Sequence, residues 1–80
     1  MKSVNIKLSN STIEDIKNFA GSLAKYNIEL DLKSGRYMVD PRSTLGIFSL
    51  DLMKPVEFVI HSDDETVVNA VLADIKPWIV

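Results

Sequence analysis

Apolar residues alternate in some parts of the chain and recur at helical spacing in others, and each change of period marks a new element. Val4, Ile6 and Leu8 alternate with Asn5 and Lys7, which predicts a half-buried strand over about residues 3–8. The polar cluster Ser9-Asn10-Ser11 ends it. Ser11 and Glu14 stand at capping-box spacing, so a helix should begin near Thr12. Ile13, Ile16, Ala20, Leu23 and Ala24 then form one apolar stripe, with Phe19 and Tyr26 toward its edges. Gly21 weakens this helix by about 1 kcal/mol relative to alanine and suggests a close approach to a sheet.

Ile28, Leu30 and Leu32 alternate with Glu29 and Asp31, giving a strand with one dry and one wet face. Lys33-Ser34-Gly35-Arg36 supplies a tight turn, with Gly35 suited to positive φ, and Tyr37-Met38-Val39 returns as the second strand of a hairpin. Pro41 stops that strand by removing a backbone donor. Ser43 is placed to cap a short helix over about 44–51, with Leu45 and Phe48 on one side. A final strand runs from Val56 to His61, with Val56, Phe58 and Ile60 on one face. Ser62 and Glu65 repeat the capping-box spacing, Asp63 and Asp64 fall in the first turn, and Val67, Val68, Val71, Leu72 and Ile75 give the last helix its buried face. Pro77 should end this helix and leave Trp78-Ile79-Val80 as an apolar tail, packed internally or presented to a partner.

The resulting order, β-α-β-β-α-β-α, predicts an α+β fold in which the longer helices cover one face of a four-stranded antiparallel sheet, an open-faced sandwich. Eighty residues suffice for one domain, 1–80, which buries only about 60–65% of its unfolded surface. No cysteine is present to reinforce it, which rules out disulfides, thiolate metal sites and cysteine catalysis, and fits a reducing compartment. A net charge of −2 and basic residues scattered from Lys2 to Lys76 argue against a nucleic-acid partner. The apolar runs are far shorter than the roughly 20 residues of a membrane span, and the first residues alternate rather than forming a signal peptide, so a cytoplasmic location is expected, with no membrane insertion.

The run Arg42-Ser43-Thr44-Leu45-Gly46-Ile47-Phe48-Ser49-Leu50 resembles the segment around the regulatory serine of HPr, the phosphocarrier of the bacterial sugar phosphotransferase system. The element order is also that of the HPr fold, for which the resemblance implies a sheet order of 1-4-2-3. The match extends over nearly the whole chain and is densest from Tyr26 to Leu50. Carried back without gaps, its register sets Thr12 where the family has its phosphoryl-accepting histidine. Glu14 replaces the family's arginine and Asp15 its proline. Threonine would yield an inert phosphoester in place of a transferable phosphoramidate, and Glu14 would repel phosphoryl oxygens. The resemblance therefore implies the fold without the carrier reaction, and no catalytic residue or cofactor is expected.

Ser43 retains the family's second phosphorylation position, which makes it a candidate regulatory phosphosite. Such a phosphate would bring about −1.5 to −2 charges to a helix start, with Arg42 as a neighbouring cation. The plain structural alternative is a capping serine. Thr44 and Asp51 depart from the family's usual aliphatic residue and glycine. Arg42, Thr44, Leu45 and Phe48 match the face through which HPr meets protein partners, and Leu45 and Phe48 have core burial as their alternative. The partners implied are HPr kinase or a transcription regulator; nothing in the chain specifies its oligomeric state. His61, the only histidine, reads as a strand-edge residue. Glu29 and Asp31 read as a solvated strand face, and Asp63-Asp64-Glu65 as helix-start acids. No metal-ligand pattern, phosphate loop or nucleophile–base pair appears. The competing reading is a small-molecule-binding α+β module unrelated to phosphotransfer, which would need a concave apolar pocket.

Overall fold

Strand β1 (Lys2–Ile6) pairs antiparallel with β4 (Val56–His61), β4 with β2 (Glu29–Ser34), and β2 with β3 (Tyr37–Val39). The computed structural model describes residues 1–80. Its single sheet has the order β1-β4-β2-β3, as the resemblance implied. Helices α1 (Ile13–Leu23), α2 (Thr44–Phe48) and α3 (Glu65–Ile75), followed by a 3-10 turn at Lys76–Trp78, complete the expected β-α-β-β-α-β-α order. None of these helices is long and apolar enough to cross a membrane.

Register decides which side of the sheet is dry. Phe58 stands between Val4 and Leu32, Ile60 faces Leu30, and Val56 faces Ile6, so these side chains share one face. They join Ile16, Phe19, Ala20 and Leu23 of α1, Ile47 of α2, and Val71 and Ile75 of α3 in one buried cluster. Burial of a Phe or Ile side chain contributes about 1.5–3 kcal/mol, so this cluster carries most of the fold's stabilisation. Phe19 sits at its centre, edge-on to Phe58 at 6.1 Å and to Trp78 at 5.0 Å between ring centroids. The opposite face carries Glu57, Val59 and His61 of β4 beside Glu29, Asp31 and Lys33 of β2. Val59 is buried even there, separate from the main cluster, because its strand is interior to the sheet.

Several expectations shift by a residue or a face. β1 ends at Ile6, although Leu8 remains buried beyond it. The first capping box is Thr12 with Asp15, not Ser11 with Glu14. The buried stripe of α1 is consequently Ile16-Phe19-Ala20-Leu23; Phe19 is core, while Ile13 and Ala24 are exposed. Gly21 approaches nothing, since a Cβ there would meet open space. Asp64 caps α3, accepting from the amides of Thr66 and Val67, in place of the Ser62–Glu65 pair. Of the predicted α3 face, Val71 and Ile75 are buried, and Val67, Val68 and Leu72 are half-buried. Helix α2 closes at Phe48, three residues short of the predicted end.

The hairpin matches its prediction, with Gly35 at φ 58° in the turn. The C-terminal tail folds back onto the domain, with Trp78 packed against the core and the side chains of Ile79 and Val80 exposed. Trp78 donates its indole N–H to Ser11 Oγ at 3.1 Å, Ile79 bridges to Ile6, and the Val80 amide donates to the Asn5 carbonyl. Tyr26 ties the end of α1 to α3 by donating to Asp74 at 2.5 Å, with Lys25 at 3.1 Å from the same carboxylate. Burial first, then the hydrogen bond and charge of Asp74, push the Tyr26 phenol up to about 12.

Candidate functional site: two helix starts

At the start of α1, Thr12 Oγ1 accepts from the Asp15 amide at 3.1 Å while Asp15 Oδ2 accepts from the Thr12 amide at 3.0 Å. This reciprocal box satisfies two helix-end donors within the chain itself. Glu14 and Asp15 make the first turn acidic. The start of α1 therefore already holds a carboxylate, and no basic side chain bonds to it. His61 lies at the far end of β4, and Asp31 and Glu29 are its side-chain neighbours.

The start of α2 has a different setting. Ser43 Oγ accepts from the Gly46 amide at 3.2 Å, and the first turn contains no acidic residue. Gly46 sits in close packing: a Cβ there would stand 3.2 Å from Val39 Cβ and 3.4 Å from Ser43 Oγ, so a side chain would press on both neighbours. Ser43 is exposed and Thr44 half-buried. Leu45 is 86% exposed and Phe48 43% exposed, whereas Ile47 between them is fully buried. One side of α2 is thus anchored in the core, and Leu45 and Phe48 are left to solvent.

Arg42 is occupied elsewhere. Its Nε and Nη2 donate to Asp40 at 2.9 and 3.1 Å, and Nη1 donates to the carbonyls of Tyr26 and Ile28, each at 2.9 Å. These bonds hold the Asp40 carboxyl below the usual carboxylate range, against the opposing effect of burial. The guanidinium braces the segment entering α2 against the end of α1 instead of facing Ser43. A sequence reading had no means of assigning those carbonyl partners, because they depend on the tertiary path of the chain between α1 and β2.

Two surface depressions are present. One, of about 470 Å³, lies beside Ser62, Asp63, Val68 and Leu72; the other, of about 460 Å³, lies beside Arg36, Tyr37, Asp51 and Lys54. Both are open to solvent and lined mainly by polar residues, unlike the enclosed apolar pockets that hold small ligands.

No family model matches the chain, and no curated protein matches its sequence. Its structure is similar to the crystal structure of HPr-C-His from Thermoanaerobacter tengcongensis, with a TM-score of 0.73 and 24% sequence identity over 95% of this chain and 92% of that one. At that identity the likeness establishes architecture, and it agrees with the sheet order and the placement of three helices on one face. The chain has the HPr fold, an open-faced α+β sandwich.

Proposed function

We propose that this chain is an HPr-like regulatory domain of the cytoplasm that binds a protein partner through α2, accepts phosphate at Ser43, and does not serve as a phosphohistidine carrier. The observation that carries the reading is the two-sidedness of α2: Ile47 is fully buried, while Leu45 is 86% exposed two residues from an exposed Ser43. Exposed large apolar side chains on an anchored helix suit a docking surface. Arg42, Thr44, Leu45 and Phe48 match the family's contact face; here Leu45 and Phe48 supply the contact, and Arg42 supports the segment that presents them.

Phosphate on Ser43 would add about −1.5 to −2 charges beside that contact, which is sufficient to favour one partner and reject another. An HPr kinase and a transcription regulator are the partner classes this scheme calls for. Carrier chemistry is disfavoured because Thr12 stands in place of the transferable imidazole and Asp15 already occupies the adjoining amide. Incubation with phosphoenolpyruvate and the first enzyme of the sugar phosphotransferase system tests this directly. The protein is expected to remain unlabelled. A label that passes onward to a sugar-specific component would overturn the proposal.

A further inference from the structure

Glu29 and Asp31, two residues apart on β2, point to the open face of the sheet, and His61 of β4 is the register partner of Glu29. One ligand atom from each of the three lies within 4.8 Å of the others. The sequence pattern gave no hint of a cluster, because 30 residues separate Asp31 from His61 and only the β2–β4 pairing unites them. The exposed face of the sheet is otherwise unused by the proposed function.

The geometry divides the roles. His61 Nε2 is 2.6 Å from Asp31 Oδ2, a short hydrogen bond. Asp31 is mostly sheltered, its side chain only 16% exposed, and His61 is its one side-chain partner. In the neutral ring the single proton therefore belongs on Nε2, donated to Asp31. The lone pair of Nδ1 is then left facing Glu29 Oε2 at 3.5 Å. Two electron-rich atoms at that separation are held together by a shared cation, either a second ring proton on Nδ1 or a bound metal ion.

We infer that His61 Nδ1 and the Glu29 carboxylate form a binding site for a zinc-class divalent cation, with Asp31 orienting the imidazole through Nε2–H. Two donors bound to zinc at about 2.0–2.1 Å with a tetrahedral angle stand about 3.3–3.4 Å apart, close to the gap present here. A carboxylate behind the ligating imidazole is the usual arrangement at zinc sites, because it fixes the tautomer and raises ligand basicity. Water completes the coordination on this open face. Mixed nitrogen and oxygen donors select zinc-like ions over magnesium, which prefers oxygen alone. Lys33, the next residue on that face of β2, stands opposite Glu57 in register, beyond Asp31.

Because His61 is the only histidine, its ring signals in a nuclear magnetic resonance spectrum are unambiguous. Titration with zinc chloride should move them saturably, with the Nδ1 signal losing its lone-pair character while Nε2 stays protonated. Magnesium chloride should leave them in place. Glu29, 72% exposed in its side chain, can be changed without disturbing the fold. Glu29→Gln should weaken zinc binding about tenfold or more, and Asp31→Asn by about tenfold. The inference fails if zinc produces no saturable change up to about 1 mM, the weak end of useful affinity. It also fails if Glu29→Gln binds as the parent does, which would remove Glu29 from the site, or if magnesium acts as well as zinc. Unchanged affinity in Asp31→Asn would remove Asp31 from its orienting role.

Discussion

Helices α1 and α2 both begin on a hydroxyl that accepts an amide three residues on, at 3.1 Å from Asp15 to Thr12 and at 3.2 Å from Gly46 to Ser43. The two starts differ in what surrounds the cap. Glu14 and Asp15 crowd the first turn of α1, and Asp15 closes back on the Thr12 amide; the first turn of α2 has no acid, and its neighbouring carboxylate, Asp40, is neutralised by Arg42. Cap identity alone therefore does not decide where a phosphate can go. The charge and occupancy of the first turn separate the two starts, and in the function we propose they direct phosphate to Ser43 rather than Thr12.

The sharpest way to break this comparison is to ask whether α2 is anchored and exposed as described. Ile47→Ala should cost about 2–5 kcal/mol in urea denaturation, whereas Leu45→Ala should stay within about 0.5 kcal/mol. Equal costs would mean that Leu45 is held in the fold and unavailable to a partner. Arg42→Ala comes next. It strips hydrogen bonds from Asp40 and two carbonyls and should cost about 1–3 kcal/mol, without abolishing modification of Ser43. A neutral effect on stability together with lost modification would make Arg42 a phosphate partner instead of a brace.

The same brace gives a pH signature. Asp40 and Asp74 are held below their ordinary values chiefly by hydrogen bonds, from Arg42 and from Tyr26 respectively. Each depressed carboxyl contributes stability that is present above its unfolded value of 3.8 and lost as pH falls through the lower folded value. Acid denaturation should therefore deepen below about pH 4, and Arg42→Ala should shrink the Asp40 share of that dependence. Thr12→Ala and Ser43→Ala should each cost about 1 kcal/mol through loss of a cap.

The smallest effect discriminates most finely between the helix starts. Aspartate is itself a good cap, so Ser43→Asp should stay near neutral, while Thr12→Asp adds a third acid beside Glu14 and Asp15. The Thr12→Asp protein should be the less stable by about 0.3–1 kcal/mol at low salt, and the gap should narrow at high salt. A gap that persists at high salt would point to cap geometry rather than charge.

The architecture was legible because period changes are sharp: Val4-Ile6, Leu30-Leu32 and Phe58-Ile60 mark strands, and the Gly35 turn fixes the hairpin. Phe19 was harder to place, because its burial follows from the helix starting on Thr12 and from Trp78 folding back onto it. The capping-box spacing points to Ser11 and Ser62, whereas the caps are Thr12 and Asp64, one and two residues further on, a choice that tertiary geometry makes. At the candidate site, Ser43 and the α2 side chains were readable from one local run. The commitment of Arg42 to Tyr26 and Ile28, and the meeting of Glu29, Asp31 and His61, arise from long-range packing that no local pattern encodes.

The central claim is that phosphate belongs at the start of α2 and not at the start of α1. Mass-spectrometric mapping after incubation with an HPr kinase and ATP tests it most directly, with the Ser43→Ala protein in parallel. One phosphate on Ser43 and none on the variant is the predicted result. Phosphate on Thr12, or a Ser43→Ala protein modified as fully as the parent, would contradict it.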